Sequence, residues 1–174
     1  MRNYITGTTR GLGKALLEVF SGWKGSWEGL DRPKYNLSNV DKYVKTDFDT
    51  YVINAHYEYS QIELLYKLFE ANKNRKCNIV VIGSVSADGD RKTVNQYAIQ
   101  KKALDAAVTQ LQLVQSEIII TNIKLGRIDT DLVAHLVEPK MDVYLVAQKI
   151  LNVLLHNESG CYFKTLTIDT KEQL

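Results

Sequence analysis

The sequence predicts an α/β fold with three layers, in which helices cover both faces of a doubly wound parallel sheet of about six strands. Short β-rich apolar runs alternate along the chain with longer segments of helical periodicity. The run at residues 79–82 is continuously apolar and β-branched, as expected of a strand that is buried on both faces. Such sheets bind ligands beyond the carboxyl ends of their strands, so functional residues are expected to follow strands.

The individual elements follow from these runs. Strands are predicted at residues 3–5, 26–30, 51–53, 79–82, 118–125 and 162–168. Helices are predicted at residues 11–20, 40–44, 61–69, 97–114 and 143–155, where apolar side chains recur every three or four positions. Because the predicted strands and helices alternate along the chain, we expect parallel strands joined by helical crossovers.

Composition and charge narrow the class of protein. A chain of 174 residues, 45% of them hydrophobic, is expected to form one domain over residues 1–174. The net charge of +2 predicts neither a nucleic-acid nor a membrane partner, and without an apolar span or signal peptide we expect a cytoplasmic protein. Two cysteines without a CxxC or Cys/His cluster indicate no metal site and no disulfide scaffold.

A glycine-rich loop joins the first predicted strand to the first predicted helix. Its GxxxGxG spacing permits a tight turn, lets backbone N–H groups approach a pyrophosphate, and lets the helix sit close to the strand. The order of strand, loop and helix favours dinucleotide binding, and a Rossmann-type sheet, over a helix entry that is merely rich in glycine. The candidate residues of the loop are Gly7, Thr9, Arg10, Gly11, Leu12 and Gly13.

Charged residues leave the choice of dinucleotide open. Asp31 lies 24 positions after Gly7, where an acidic residue would hydrogen-bond an adenosine ribose and favour NAD. Arg10 and Arg32 would instead hold a ribose 2′-phosphate and favour NADP. Solvated loop charges are an equally good interpretation of each residue. Two basic groups against one acidic group give a slight preference for NADP.

A serine, a tyrosine and a lysine form a candidate catalytic set. Tyr97 and Lys101 are four residues apart and so share one face of a predicted helix, where the cation is expected to lower the pKa of the phenol. That pair alone is compatible with coincidence in a chain with 10 tyrosines. Ser84 ends the buried strand, where its hydroxyl would reach a substrate oxygen. The ordered occurrence of glycine loop, Ser84, Tyr97 and Lys101 favours a catalytic site.

With these residues in this order, the sequence resembles the short-chain dehydrogenase/reductase family, as an unusually short member. The resemblance implies reversible hydride transfer between NADP (or NAD) and a small carbonyl or alcohol substrate. It implies that Tyr97 is the general acid/base, that Lys101 lowers its pKa and binds the nicotinamide ribose, and that Ser84 orients the substrate carbonyl. It also implies homodimers or homotetramers formed through the helices around residues 61–72 and 97–114.

Two further segments carry the resemblance. Asn54 and Ala55 match a family segment that lies beside the adenosine. Gly126, Ile128 and Thr130 match the loop that contacts the nicotinamide end of the cofactor. The resemblance therefore implies that all five residues bind the cofactor.

The sequence also departs from the family pattern. His56 replaces a glycine, Leu125 replaces a proline, and no asparagine lies near Tyr57, where a fourth catalytic residue is usual. The segments 28–50 and 130–141 are shorter than the corresponding segments of the family. One element of the first half is therefore expected to be missing, and the substrate lobe is expected to be reduced. These departures motivate an alternative function, a non-catalytic dinucleotide-binding sensor or interaction protein. A flavodoxin-like or methyltransferase domain is a third interpretation, and it predicts no nicotinamide binding.

Overall fold

The computed structural model describes residues 2–31, 38–89, 94–130, 134, 137–157 and 161–170. Within these ranges the strands are β1 (Arg2–Thr6), β2 (Ser26–Leu30), β3 (Thr50–Ile53), β4 (Cys77–Ser84), β5 (Ile118–Leu125) and β6 (Thr165–Ile168). The α-helices are α1 (Gly11–Phe20), α2 (Ser60–Asn72), α3 (Gln96–Gln112) and α4 (Val143–Asn157). Short 3₁₀ helices lie at Val40–Tyr43 and Val85–Ala87.

The strands form one parallel sheet in the order β2-β1-β3-β4-β5-β6. The chain runs from β1 to β2 on one side, and then returns to place β3 on the other side of β1. This reversal opens a crevice beyond the carboxyl ends of β1 and β3, the place where sheets of this kind bind ligands. The predicted fold class, a doubly wound parallel sheet, is confirmed.

Helices pack against both faces of the sheet and give two hydrophobic clusters. Alternate residues of one strand point to opposite faces, so Ile53 of β3 lies in one cluster and Val52 in the other. The α2–α3 face contains Leu65 and Leu104, and the α1–α4 face contains Leu16 and Ile150. The strands β3, β4 and β5 are therefore buried on both sides, which explains their continuous apolar character.

The short helix predicted at residues 40–44 is of the 3₁₀ type. It spans Val40–Tyr43. Val40 and Tyr43 are both buried, and a helix with three residues per turn places positions i and i+3 on the same side. The segment therefore anchors two side chains in the core within the little chain that joins β2 to β3.

The segment between β5 and α4 is equally sparse. Its described residues contain no helix and no strand of their own, only an isolated bridge that pairs Ile128 with Met141. The carboxyl ends of β4 and β5 consequently have little regular structure over them in the part of the chain that is described.

Candidate functional site

The glycine loop has the conformation that its sequence predicts. Gly7 and Gly11 adopt positive φ angles of 74° and 54°, a region that side chains disfavour. A Cβ at Gly13 would lie 1.9 Å from the carbonyl oxygen of Gly7, so only glycine lets α1 sit this close to the end of β1. The loop is thus shaped by backbone geometry, as a pyrophosphate-binding turn requires.

The start of α1 fits a phosphate group. Arg10 is the N-cap residue, but its side chain makes no capping hydrogen bond, and the first turn contains no acidic residue. The first N–H groups of a helix lack partners within the helix and attract anions. Thr9 and Arg10 are exposed at the tip of the loop, whereas Leu12 is buried and anchors the helix in the core.

Asn54 and Ala55 lie directly against the loop, across the crevice between β1 and β3. The side-chain amide of Asn54 donates to the carbonyl oxygens of Thr6 at 3.0 Å and Gly7 at 3.3 Å. In return, the Thr6 hydroxyl accepts from the backbone N–H groups of Asn54 and Ala55, both at 2.9 Å. Both N–H groups of the Asn54 amide therefore hold the loop in place. Thr6 therefore links the glycine loop to the segment after β3. The sequence marked it only as the residue that precedes the glycine motif.

Asp31 is tied to the same loop from the end of β2. Both the backbone N–H and the hydroxyl of Thr8 donate to the Asp31 carboxylate. A Cβ at Gly29 would lie 2.0 Å from the Thr8 hydroxyl oxygen, so Gly29 makes room for this contact. Thr8 was not singled out from the sequence, because a threonine in a glycine loop has no distinctive spacing. Arg32, its predicted competitor for the ribose, lies outside the described residues.

The loop after β5 approaches the glycine loop from the other side. A Cβ at Gly11 would lie 3.4 Å from the Thr130 Cγ2 atom, so the two loops are close together. The Gly126 N–H donates to the carbonyl oxygen of Ile168 at 2.9 Å, and a Cβ there would collide with Asp169. The bridge of Ile128 to Met141 continues this loop. The structure thus brings both predicted cofactor-binding loops to the carboxyl edge of the sheet.

Ser84, Tyr97 and Lys101 come together at this edge. Ser84 is the last residue of β4. Its hydroxyl accepts from the Ser86 N–H at 3.2 Å and lies close enough to the Tyr97 phenol to influence its pKa. The Asn95 side chain caps α3 by accepting from the Ala98 N–H at 3.1 Å, which fixes Tyr97 in the first turn. The Lys101 Nζ atom lies 5.6 Å from the centre of the Tyr97 ring.

The electrostatics of the tyrosine differ from expectation. Burial raises the pKa of Tyr97, and the nearby Ser84 hydroxyl opposes that rise. The predicted lowering of its pKa by Lys101 is wrong for this structure, because the ammonium lies over the ring and donates instead to Gln61 Oε1 at 2.7 Å and the Ile82 carbonyl oxygen at 2.8 Å. Burial lowers the pKa of Lys101 to about 8, and the charge of Asp105 partly opposes this.

Gln61 and His56 belong to the same cluster, and Gln61 was missed as a functional residue. Gln61 is buried in the first turn of α2, and the His56 Nδ1 atom lies 3.4 Å from its Oε1. The His56 ring meets the Tyr97 ring edge to face, with centroids 4.9 Å apart. Partial burial lowers the pKa of His56, and the charge of Lys101 lowers it further. A polar residue that follows a strand was the available signal, but it does not distinguish Gln61 from an ordinary helix-surface residue.

A buried lysine on β5 connects the two parts of this cluster. Lys124 pairs with Asp88, which follows Ser84 in the chain, and with Asp105 of α3 at 3.0 Å. Asn122 also donates to Asp105, at 2.8 Å. The strand that carries Lys124 therefore joins the loop after Ser84 to the helix that carries Tyr97 and Lys101.

The described residues contain neither a membrane-spanning helix nor a metal-binding cluster. No helix there is long and apolar enough to cross a membrane. In the same ranges, no three His, Cys, Asp or Glu side chains are grouped so that they would hold a metal ion.

The similarity of this chain to known proteins is found in its structure and not in its sequence. No protein-family model and no curated protein sequence matches it. A short-chain dehydrogenase from Burkholderia cenocepacia in complex with NADP superposes with a TM-score of 0.77 at 17% identity, over 97% of this chain and 88% of that one. The chain has the short-chain dehydrogenase fold. At this level of identity, the similarity establishes the architecture and leaves the site residues to be argued from their own geometry.

Two further structures with the short-chain dehydrogenase fold agree. A short-chain dehydrogenase/reductase from Vibrio parahaemolyticus has a TM-score of 0.74 and 16% identity, over 97% of this chain and 99% of that one. The 3-alpha-hydroxysteroid dehydrogenase from Pseudomonas sp. B-0831, crystallised with NADH, has a TM-score of 0.71 and 15% identity, over 97% and 95%. The short-chain dehydrogenase fold therefore extends over nearly the whole of this chain.

Proposed function

We propose that this protein is an oxidoreductase that transfers a hydride between a nicotinamide dinucleotide and a small carbonyl or alcohol substrate. The observation that carries the proposal is the meeting of Ser84, Tyr97 and Lys101 at the sheet edge that also holds the glycine loop. Solved structures with the same fold contain NADP and NADH, which supports this class of cofactor.

Several elements would hold the dinucleotide. The glycine loop and the start of α1 would bind the pyrophosphate through backbone N–H groups. Asp31 would accept from the adenosine ribose in NAD, whereas Arg10 would contact the additional phosphate of NADP, so the structure is compatible with either. Ala55 and Thr130 flank the loop on its two sides. The nicotinamide would supply or accept the hydride.

The side chains of the site would handle the proton and the substrate oxygen. In the reductive direction, the Tyr97 phenol would donate its proton to the carbonyl oxygen while the Ser84 hydroxyl holds that oxygen in place. Two N–H donors of Lys101 are bound to Gln61 and Ile82, which leaves the third for a ribose hydroxyl or the phenol. The ammonium would then favour the tyrosinate that forms as the proton leaves.

The decisive experiment compares turnover and cofactor binding in Tyr97→Phe. Purified protein is titrated with NADPH and with NADH, and oxidation of each is followed with a broad panel of carbonyl compounds. Tyr97→Phe should lower kcat by about 10²- to 10⁴-fold, the usual contribution of a general acid, and leave the dinucleotide Kd within about threefold. Tyr162→Phe is the matched control, since Tyr162 is similarly exposed but precedes β6 at the opposite edge.

The same experiment tests the non-catalytic alternative. The raised pKa of Tyr97 and the binding of Lys101 to Gln61 favour that alternative, because both hinder release of the phenolic proton. A sensor would bind one dinucleotide, show no turnover with any substrate, and be unaffected by Tyr97→Phe. Equal turnover in Tyr97→Phe and the wild type would contradict the catalytic mechanism, and failure to bind either dinucleotide would contradict both functions.

We further propose that the protein forms homodimers or homotetramers through α2 and α3. These helices lie side by side, joined by a hydrogen bond between Tyr66 and Gln110. Ile99 on α3 is 59% exposed, so this helix presents apolar surface outward. Light scattering after size exclusion is expected to give a multiple of 19.8 kDa, and Ile99→Glu is expected to reduce it. A monomeric mass for the wild type would contradict this assembly.

A further inference from the structure

We propose that Gln61 is a positioning residue whose amide oxygen joins Lys101 to His56 and thereby holds the Tyr97 ring, through His56, in its working orientation. The inference rests on the proposed function, since it assigns a role in the same reaction. The observations that support it are nevertheless separate from those that support the proposed function. They are the contacts of a buried glutamine on α2, an element that supplies none of the three predicted catalytic residues.

The orientation of the Gln61 amide is fixed by its partners. The nitrogen donates to the carbonyl oxygen of Ile53 at 3.3 Å, which requires that the oxygen face the opposite way, towards Lys101. An ammonium only donates, so the group it meets at 2.7 Å has to be the amide oxygen. The side chain is 2% exposed, and water has little access to replace either contact.

The same oxygen lies within reach of the His56 ring. Since that oxygen only accepts, the His56 Nδ1 atom at 3.4 Å has to carry the proton in this contact. The side chain of Gln100 lies close enough to His56 to oppose the lowering of its pKa. The His56 and Tyr97 rings pack edge to face, with centroids 4.9 Å apart and an interplanar angle of 82°.

The charges around His56 come from α3. Lys101 lies behind the shared oxygen, Tyr97 packs against the ring, and Asp105 acts on Lys101 from one turn further along the helix. The positive charge of Lys101 favours a neutral imidazole, and in the neutral ring the Nδ1–H donor to the amide oxygen selects one tautomer. Removal of the Gln61 oxygen would leave Lys101 bound to the Ile82 carbonyl and would disconnect it from His56.

The first test reads the histidine directly and needs no turnover. In the full-length protein, ¹H–¹⁵N correlation spectra report the tautomer and titration of each of the three histidines, and His56→Gln assigns the signal. We expect the Nδ1–H tautomer in the wild type, loss of that preference in Gln61→Leu, and its recovery in Gln61→Glu, which restores an acceptor. A His56 signal that is identical in the wild type and Gln61→Leu would overturn the inference.

The second test separates positioning from structural support. Gln61→Leu should lower kcat by about 10- to 100-fold with little change in the KM for the dinucleotide, as expected when a catalytic group is misplaced. Gln61→Glu should recover part of kcat and displace the pH profile, because it adds a charge beside Lys101. Gln110→Leu is the matched control, since this exposed glutamine contacts Tyr66 and lies away from the cluster.

A third pair of variants covers the case in which Gln61→Leu does not fold. His56 is exposed, so its substitution is tolerated by the core, and His56→Phe keeps an aromatic contact with Tyr97 that His56→Ala removes. Because only His56→Ala loses the aromatic contact, we expect kcat to fall more in His56→Ala than in His56→Phe. Equal kcat in both variants and the wild type would overturn it. If the wild type itself turns over no substrate, the proposed function fails, whereas the histidine spectra still decide the role of Gln61.

Discussion

The two parts of the candidate site are built in different ways. The cofactor side consists mainly of backbone geometry: positive φ angles at Gly7 and Gly11, and a helix that approaches β1 because Gly13 has no side chain. The catalytic side consists of side chains from α2, β4 and α3 that meet through hydrogen bonds and ring contacts. The first is therefore sensitive to a single added carbon, and the second to the loss of a single polar atom.

The largest effect is expected from Gly13→Ala, which tests the backbone geometry of the cofactor side. The new methyl carbon would meet the Gly7 carbonyl oxygen at 1.9 Å, so α1 has to move away from β1. We expect a loss of about 3 kcal/mol in the free energy of unfolding and a large loss of dinucleotide affinity, measured by urea denaturation and calorimetry. Gly22→Ala is the control, because a Cβ there would meet no atom within 4 Å. Similar stability in both variants would show that the close approach is unimportant.

The catalytic side is tested most strongly at Lys124. Lys124→Met would leave Asp88 and Asp105 without their shared cation, at a cost of about 2 kcal/mol. Because Asp88 follows Ser84 and Asp105 lies on α3, kcat should fall while dinucleotide binding is retained. Lys67→Met is the matched control, since Lys67 also bridges two carboxylates but does so at the surface. Equal changes in Tm for the two variants would refute the buried bridge.

A smaller effect is expected from pH. Burial holds the pKa of Lys101 at about 8, below its usual value of 10.5, so the folded protein binds fewer protons than the unfolded chain between these limits. The contribution of Lys101 to stability therefore increases as pH rises from about 8 to 10.5 and is lost as pH falls towards 8. The opposite trends of Tyr97 and Cys77, whose pKa values are raised, cancel when the wild type is compared with Lys101→Met.

The measurement is the difference in Tm between the wild type and Lys101→Met, taken at several pH values across that window. We expect the difference to move in favour of the wild type with rising pH. The same series with Lys102→Met, which changes the exposed neighbour of Lys101, is the control. A difference that stays constant with pH would mean that Lys101 is not held in a desolvated environment.

The contrast between the two sides also explains what could be predicted from the sequence. The strands and the glycine loop were predictable because they depend on local periodicity and on glycines at fixed spacing, and α1 and β2 have the predicted bounds. Ser84, Tyr97 and Lys101 were found because their order is distinctive. Gln61, Thr8 and Lys124 were not found, because each acts through a residue that is distant in the chain, and no local pattern marks such a contact.

The strand order also bears on how the sheet is assembled as the chain is synthesised. β1 pairs with β2 within the first 30 residues, β3 joins the free side of β1, and each later strand pairs with the strand before it. Each described strand after β1 therefore follows a partner that has already been synthesised, and none of these strands has to insert between two earlier ones. Among the strands that the structure describes, only the short strands β2 and β6 lie at the edges of the sheet, which limits pairing between chains.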